Sequence, residues 1–304
     1  MYIPDFTKTV EGLFIGTRNP YFDADRAILS HLIPCPHLTD LHLSIAQTSG
    51  YMIPLDLIPR LFPNLKKLDI PIAEPFVGSL HHLAGLERLH LRNLRCYNDA
   101  LMPYASIPTL TRIDFLGVRF DPPAISRLLP TALNRFSNLK FLTIYNLVVG
   151  GEVLFNTASY RLETLRMTLE LRYDGYSGEV FTQRALSDLE KLEISVCVGG
   201  YQHVEPVQKA WDAVISQITS SIPSLKKLAL LGVPLNPSWV RHLGNLKHLT
   251  SVLLIVEGGA SLSNLSEENR LLKEKKYRES FCKAFEEVQF ENTPELILHV
   301  GWAV

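Results

Sequence analysis

The chain has no excess of either charge: 30 lysines and arginines stand against 31 aspartates and glutamates, a formal charge of −1. No global field therefore draws it to nucleic acid or to an anionic membrane. It has no uncharged apolar run of the roughly 18 residues needed to cross a bilayer. Its start, Met1-Tyr-Ile-Pro-Asp-Phe6, lacks the basic and apolar regions of a secretory signal. Cysteine is scarce, and Cys35, Cys96, Cys197 and Cys282 lie too far apart for a zinc ribbon or a redox pair. These absences predict reduced thiols in a cytoplasmic or nuclear protein. Enzyme signatures are missing too, with no Gly-x-Ser-x-Gly elbow, phosphate-cradling glycine loop or His-Glu-x-x-His. The expectation is a non-enzyme without cofactor or metal. What the chain does have is 304 residues with 46% apolar side chains, too apolar for disorder and enough for one elongated or two ordinary domains.

One hexad recurs along the chain: apolar, two variable residues, apolar, one variable residue, apolar. It reads Leu38-Thr-Asp-Leu-His-Leu43, Leu65-Lys-Lys-Leu-Asp-Ile70, Leu86-Glu-Arg-Leu-His-Leu91 and Leu110-Thr-Arg-Ile-Asp-Phe115. It continues as Leu139–Ile144, Leu162–Met167, Leu189–Ile194, Leu225–Leu230 and Leu249–Leu254. A weaker copy, Val10–Ile15, precedes these, and Leu296–Val300 supplies a closing strand. Side chains alternate along a strand, so the fourth and sixth residues face one way and the third, fifth and seventh the other. Stacking the copies as a parallel sheet gives Leu68/Ile70, Leu89/Leu91 and Ile113/Phe115 one shared interior, which no single repeat can bury alone.

Return segments between strands read as helices. Candidates are Asp23–Ile33, Pro123–Leu129 and, best patterned, Pro206–Ile222, with Val207, Ala210, Trp211, Val214, Ile215 and Ile218 at helical spacing. Proline or a small turn residue often stands just before the hexad, as in Pro63-Asn, Pro108-Thr, Ser137-Asn and Pro223-Ser, and stops the helix before the strand.

The hexad, repeating on average about every 26 residues, resembles the leucine-rich repeat family, whose period is roughly 20–29 residues. The resemblance covers roughly residues 10 to 256 and implies an α/β solenoid: a curved horseshoe with a parallel concave sheet and helices or turns on the convex side. On this reading residues 1–304 form a single leucine-rich-repeat domain, closed by a capping helix and strand at about 266–300. The ninth repeat position, often asparagine in such proteins, carries Leu94, Val118, Leu147 and Val233 here. With the irregular repeat lengths, this resembles the repeats that follow an F-box in fungal and plant ubiquitin-ligase receptors. The F-box itself is not found ahead of the first repeat, so a ligase adaptor is implied only if an F-box lies outside this chain.

In this register the outward columns carry the candidate chemistry. The fifth-position column begins Phe14, His42, Asp69, His90, Asp114, Thr143 and Arg166. Its His42-Asp69-His90-Asp114 stretch suits a divalent metal or an acid/base pair. The blander alternative, which we favour, is a lateral row of hydrogen bonds and ion pairs, because zinc needs converging rather than collinear ligands. The third-position column holds Asp40, Lys67, Arg88, Arg112 and Phe141, with Arg92 nearby at a seventh position. Its cations either greet an acidic peptide or phosphate, or pair with Asp40, Asp69 and Asp114 beside them. Phe141 and Tyr145, with Tyr173 and Tyr176 in the loop that follows, are candidate aromatic anchors. The insertion holding Gly199-Gly-Tyr-Gln-His203 is a second candidate for a binding face. Cys35, near His31 and His37, reads as a turn thiol rather than a ligand.

Towards the C-terminal end the outward columns turn apolar, with Ala229, Leu231, Leu253 and Ile255. Either the segment Ser266–Val288 folds back over them, docking through Leu271, Leu272, Phe281, Phe285 and Val288, or a partner covers them. The first is the favoured expectation, because open solenoid ends need covering. The preferred function is a non-catalytic protein-interaction scaffold that binds a macromolecular partner on the concave sheet, and as its finer form a substrate-receptor module of a ubiquitin ligase. Arg88, Arg112, Phe141, Tyr145 and Arg166 are the expected partner contacts. Regulation of a small GTPase, and metal or acid/base chemistry at His42, Asp69, His90 and Asp114, are the alternatives.

Overall fold

The computed structural model describes residues 11–16, 34–44, 56–71, 82–92, 95–96, 107–116, 119–120, 136–149, 161–171, 181, 186–198, 204–234, 236–258 and 266–302. The chain divides into two compact units, Met1–Asn146 and Leu147–Val304. The expected helices at 23–33 and 123–129 and the Tyr173, Tyr176 and 199–203 segments lie outside the described residues.

In the first unit β1 (Gly12–Gly16), β2 (Asp40–Ser44), β3 (Lys67–Pro71), β4 (Arg88–Arg92), β6 (Arg112–Leu116) and β8 (Phe141–Val149) pair side by side, all parallel. The short strands β5 (Arg95–Cys96) and β7 (Arg119–Phe120) pair separately. A five-residue helix, α1 (Leu57–Leu61), returns the chain between β2 and β3. Every hexad enters the sheet in one register: Leu68 opposes Leu41 and Leu89, and Leu89 opposes Ile113. From β2 to β8 the first, fourth and sixth residues are buried, Leu65, Leu68 and Ile70 being typical at 0–1% exposure. The leucine spacing therefore produces the shared interior it predicts, and the fold is an α/β leucine-rich-repeat solenoid.

The repeat extends further upstream than the hexad. The first leucine's amide bonds back three residues, Leu65 to the Phe62 carbonyl, Leu110 to that of Ile107, Leu139 to that of Phe136 and Leu225 to that of Ile222. These are β-turns with a buried apolar residue first, proline or serine second and a polar residue third. The third side chain then binds the neighbouring turn: Asn64 Nδ2 donates to the Pro36 carbonyl at 2.8 Å and Asn138 Nδ2 to that of Pro108 at 2.6 Å. Thr109 and Ser224 make equivalent bonds to the carbonyls of Leu86 and Leu189. Pro63-Asn and its relatives thus do more than end a return segment. They tie adjacent rungs together. A second tie is the hexad's second carbonyl, which accepts two amides of the next rung: Thr39 from Lys66 and Lys67, and Lys66 from Glu87 and Arg88.

The second unit carries β9 (Thr164–Leu171), β10 (Lys191–Val198), β11 (Lys227–Val233), β12 (Ser251–Gly258) and β13 (Glu295–Trp302), again parallel and in chain order. Its returns are α2 (Val204–Ser221), a 3₁₀ helix (Pro237–Asn245) and α3 (Glu267–Glu286). These returns lie next to one another, and aromatics weld them: Trp211 stacks on Trp239 with centroids 6.5 Å apart, and Phe281 meets Trp239 at 6.1 Å. Trp211 Nε1 donates to the Gly232 carbonyl at 3.2 Å. Gly232 sits at a bulge in β11 with φ 73°, a left-handed conformation that glycine adopts without a Cβ penalty.

Helix α3 corrects the expected cap. It packs on the 3₁₀ helix and beside β13 through Phe281 and Phe285, within the return layer. The outward columns are left half-exposed at Ala229, Leu231, Leu253 and Ile255, and β13 adds Ile297 to them. Leu271 and Leu272, expected on the docked face, are 61% and 67% exposed. The cause is connectivity: a segment between two parallel neighbouring strands must cross the face where the other returns already lie. Ser266 does N-cap the helix, its side chain accepting from the Asn269 amide at 3.4 Å. Ser266→Ala is expected to lower the unfolding free energy of the chain by about 0.5–1 kcal/mol, measured by urea denaturation.

Candidate functional site

The outward face of the first unit brings the fifth-position side chains into one row. Phe14 opposes His42, His42 opposes Asp69, Asp69 opposes His90, and His90 opposes Asp114. An open groove of about 540 Å³ runs along this row, from Gly12 and Phe14 to Arg112 and Asp114. At its start Phe14 is 66% exposed and stacks on the His42 ring, centroids 4.7 Å apart and planes 16° from parallel.

Asp69 is the hub. One carboxylate oxygen meets His42 Nδ1 at 2.6 Å and His90 Nδ1 at 3.4 Å, and the other accepts from Arg92 Nε at 2.8 Å. Arg92 reaches on across β3 to β2, donating to the Leu43 carbonyl at 2.6 Å and lying 3.3 Å from His42 Nε2. A guanidinium only donates, so His42 Nε2 accepts and its Nδ1 carries the proton given to Asp69. Burial raises the Asp69 carboxyl, but the hydrogen bond and charge of His90, with those of Arg92, outweigh it and hold it below the usual carboxylate range.

Of the remaining charges, Arg112, Lys67 and Arg166 pair locally. Arg112 forks onto Asp114, two residues along its own strand, through Nε at 2.8 Å and a terminal nitrogen at 3.2 Å. That bond holds Arg112 more firmly protonated, against the effect of burial, and nearby Tyr145 adds to it. Lys67 Nζ lies 2.6 Å from Asp40, whose other oxygen accepts from Thr39 Oγ1 at 2.7 Å. Burial raises the Asp40 carboxyl, yet these partners and the charge of Arg88 bring it below its ordinary value. In the second unit Arg166 pairs with Glu193 at 3.0 Å.

Of the expected contact residues, Arg88 is exposed, Arg112 and Tyr145 are half-buried, and Phe141 is 36% exposed. Arg112 and Arg166 are engaged by carboxylates, whereas Arg88 forms no ion pair among the described residues. The lateral network expected of the row is present from His42 to His90, but Asp114 belongs to Arg112 rather than to the histidines. Among the described residues no three His, Cys, Asp or Glu side chains are grouped to hold a metal ion. Within the row the reason is plain, since a guanidinium already occupies the central carboxylate. Cys35 opens the turn before β2, its amide donating to the Leu61 carbonyl, and Cys35 and Cys282 are thiols.

Arg92 carries more of this site than sequence reasoning assigns it. Its seventh position marks it as outward-facing, but nothing in the spacing foretells a side chain spanning three strands. Among the described residues no helix is long and apolar enough to cross a membrane.

No family model matches the sequence. No curated protein matches it either. Among solved structures the chain is similar to an internalin from Listeria monocytogenes, with a TM-score of 0.37 and 12% identity over 88% of this chain and 64% of that one. The chain thus spans less than two thirds of that protein's length.

Proposed function

We propose that the protein is a non-catalytic interaction scaffold that binds a protein partner on the outward face of its repeat sheet. One observation carries this reading: the polar groups of that face in the first unit are bonded to each other, while Phe14, Arg88 and Phe141 stay exposed. A bonded network holds its side chains in place and leaves little reactive capacity, whereas exposed aromatics and arginine are the residue types that dominate binding energy at interfaces. Arg88, Arg112, Phe141 and Tyr145 are the proposed contacts on the first unit, and Arg166 on the second. A cytoplasmic or nuclear protein, with its thiols reduced, is the accompanying expectation.

The test is partner capture by the full chain. Replacing Phe141 and Tyr145 together by alanine is expected to abolish capture, by about 2 kcal/mol or more for a true anchor pair, with little change in melting temperature. Undiminished capture would remove that assignment. The finer reading, a substrate receptor of a ubiquitin ligase, requires a cullin-type adaptor among the proteins purified with the chain from its native cell. Without such an adaptor only the general scaffold reading stands.

A further inference from the structure

Among the described residues, the outward face of the first unit brings four cations, Lys67, Arg88, Arg92 and Arg112, to three carboxylates, Asp40, Asp69 and Asp114. Each carboxylate is engaged by one of the other three cations, so the excess charge resides at Arg88. Arg88 lies in register between Lys67 and Arg112, and of the three only it offers an uncommitted guanidinium fork among the described residues. Two residues along the same strand and on the same side, His90 spends Nδ1 on Asp69, and its Nε2 makes no hydrogen bond among the described residues. At the far end of the same groove Phe14 presents an exposed ring, already held flat by its stack on His42.

We propose that this groove recognises an extended segment of a partner protein by two side chains: a carboxylate on Arg88 and His90, and an apolar group on Phe14. This rests on the scaffold reading and specifies what is bound there. A guanidinium fork suits a planar carboxylate, and a charge-assisted pair of this kind is about twice as strong as a neutral one. The nearly balanced sign of the face favours a single carboxylate in a mixed segment. A polyanion would have to lie against Asp40, Asp69 and Asp114. Phe14 and Arg88 are three strands apart, roughly 14 Å at about 4.8 Å per strand, and offset by two residues, about 7 Å, along the strands, so about 16 Å in all. An extended chain advances about 3.3–3.6 Å per residue, so the two recognised side chains are about four to five residues apart.

The His90 ring can join Arg88 in holding that carboxylate. Neutral His90 with its proton on Nδ1 offers a lone pair at Nε2, which repels a carboxylate, while the protonated ring donates from Nε2 and keeps its bond to Asp69. His42 cannot act in the same way, because Arg92 already donates to its Nε2. The charged groups facing His90 are Asp69 and Lys67 on β3, Arg88 and Arg92 on β4 itself, and Arg112 and Asp114 on β6. Beyond β3 lie Asp40 and His42 on β2.

The experiment is fluorescence anisotropy of the full chain with labelled Gly-Ser peptides carrying one Glu and one Phe at varied separation. Binding is expected to peak near a separation of about four to five residues. It should weaken by about tenfold or more when the peptide Glu becomes Gln or when the protein carries Arg88→Gln, and stay unchanged with Lys227→Gln in the second unit. His90→Gln should weaken it several-fold. Absence of peptide binding, binding that survives Arg88→Gln, or tighter binding of phosphoserine than of Glu would overturn the proposal. Partner capture separates the two levels: loss with Phe141→Ala and Tyr145→Ala but not with Arg88→Gln refutes this inference and leaves the scaffold standing. Indifference to all of these substitutions removes both.

Discussion

Replacing Leu89 by alanine is expected to lower the unfolding free energy by about 2–5 kcal/mol, whereas Arg88→Gln beside it changes stability by no more than about 0.5 kcal/mol. Leu89 is 1% exposed, opposed by Leu68 on one side and Ile113 on the other. Truncating it leaves a cavity shared by three rungs, and the backbone bonds that tie those rungs, Lys66 to Glu87 and Arg88 and Glu87 to Thr111 and Arg112, prevent a simple collapse. In a repeat array each unit is stabilised chiefly by its neighbours, so damage at one rung weakens the next as well. Arg88 points the opposite way into solvent, with no ion pair among the described residues to lose. Urea denaturation of the two variants measures the contrast. Equal destabilisation by both would mean that the strand does not alternate as described.

The second large effect concerns the Asp69 hub. Asp69→Asn removes the anion on which His42, His90 and Arg92 converge, and is expected to cost about 1–3 kcal/mol at neutral pH. The sign of its pH dependence follows from the lowered Asp69 pKa. A carboxyl whose folded-state value is depressed contributes stability above its ordinary value, near 3.8, and loses it as the pH falls through the lower folded value. The gap between wild type and Asp69→Asn should therefore close as the pH falls below about 4. A urea series at several pH values measures that closure, and a gap that widens in acid would contradict the assignment. Arg92→Met should be comparably destabilising, because it strands the Leu43 carbonyl and leaves the half-buried Asp69 without its arginine.

How far sequence reasoning reached differs between the two faces of the sheet. Leu41, Leu68, Leu89, Ile113 and Leu142 are all legible as interior, because burial depends on strand alternation and a fixed period, both local properties. Outward placement of His42, Asp69, His90 and Arg92 follows from the same alternation. Which of them bond is another matter. Asp114 turning to Arg112 instead of His90, and Arg92 passing over Asp69 to His42, depend on side-chain reach across strands from distant parts of the chain. Pro63-Asn64 was legible as a stop but not as a lateral tie, because the Pro36 carbonyl that Asn64 binds is adjacent only after the rungs stack.

Composition and period by themselves determined that this protein would build parallel rungs, with leucine, isoleucine and phenylalanine inside and polar residues outside. Burial of an apolar repeat leaves no other stable arrangement for so regular a pattern. Tertiary structure alone decided that helix α3 joins the return layer and that Arg88 is the cation left over on the first unit's face among the described residues. Both are questions of which neighbour occupies a given place. That competition is settled by distances of a few ångströms, to which a one-dimensional pattern is blind.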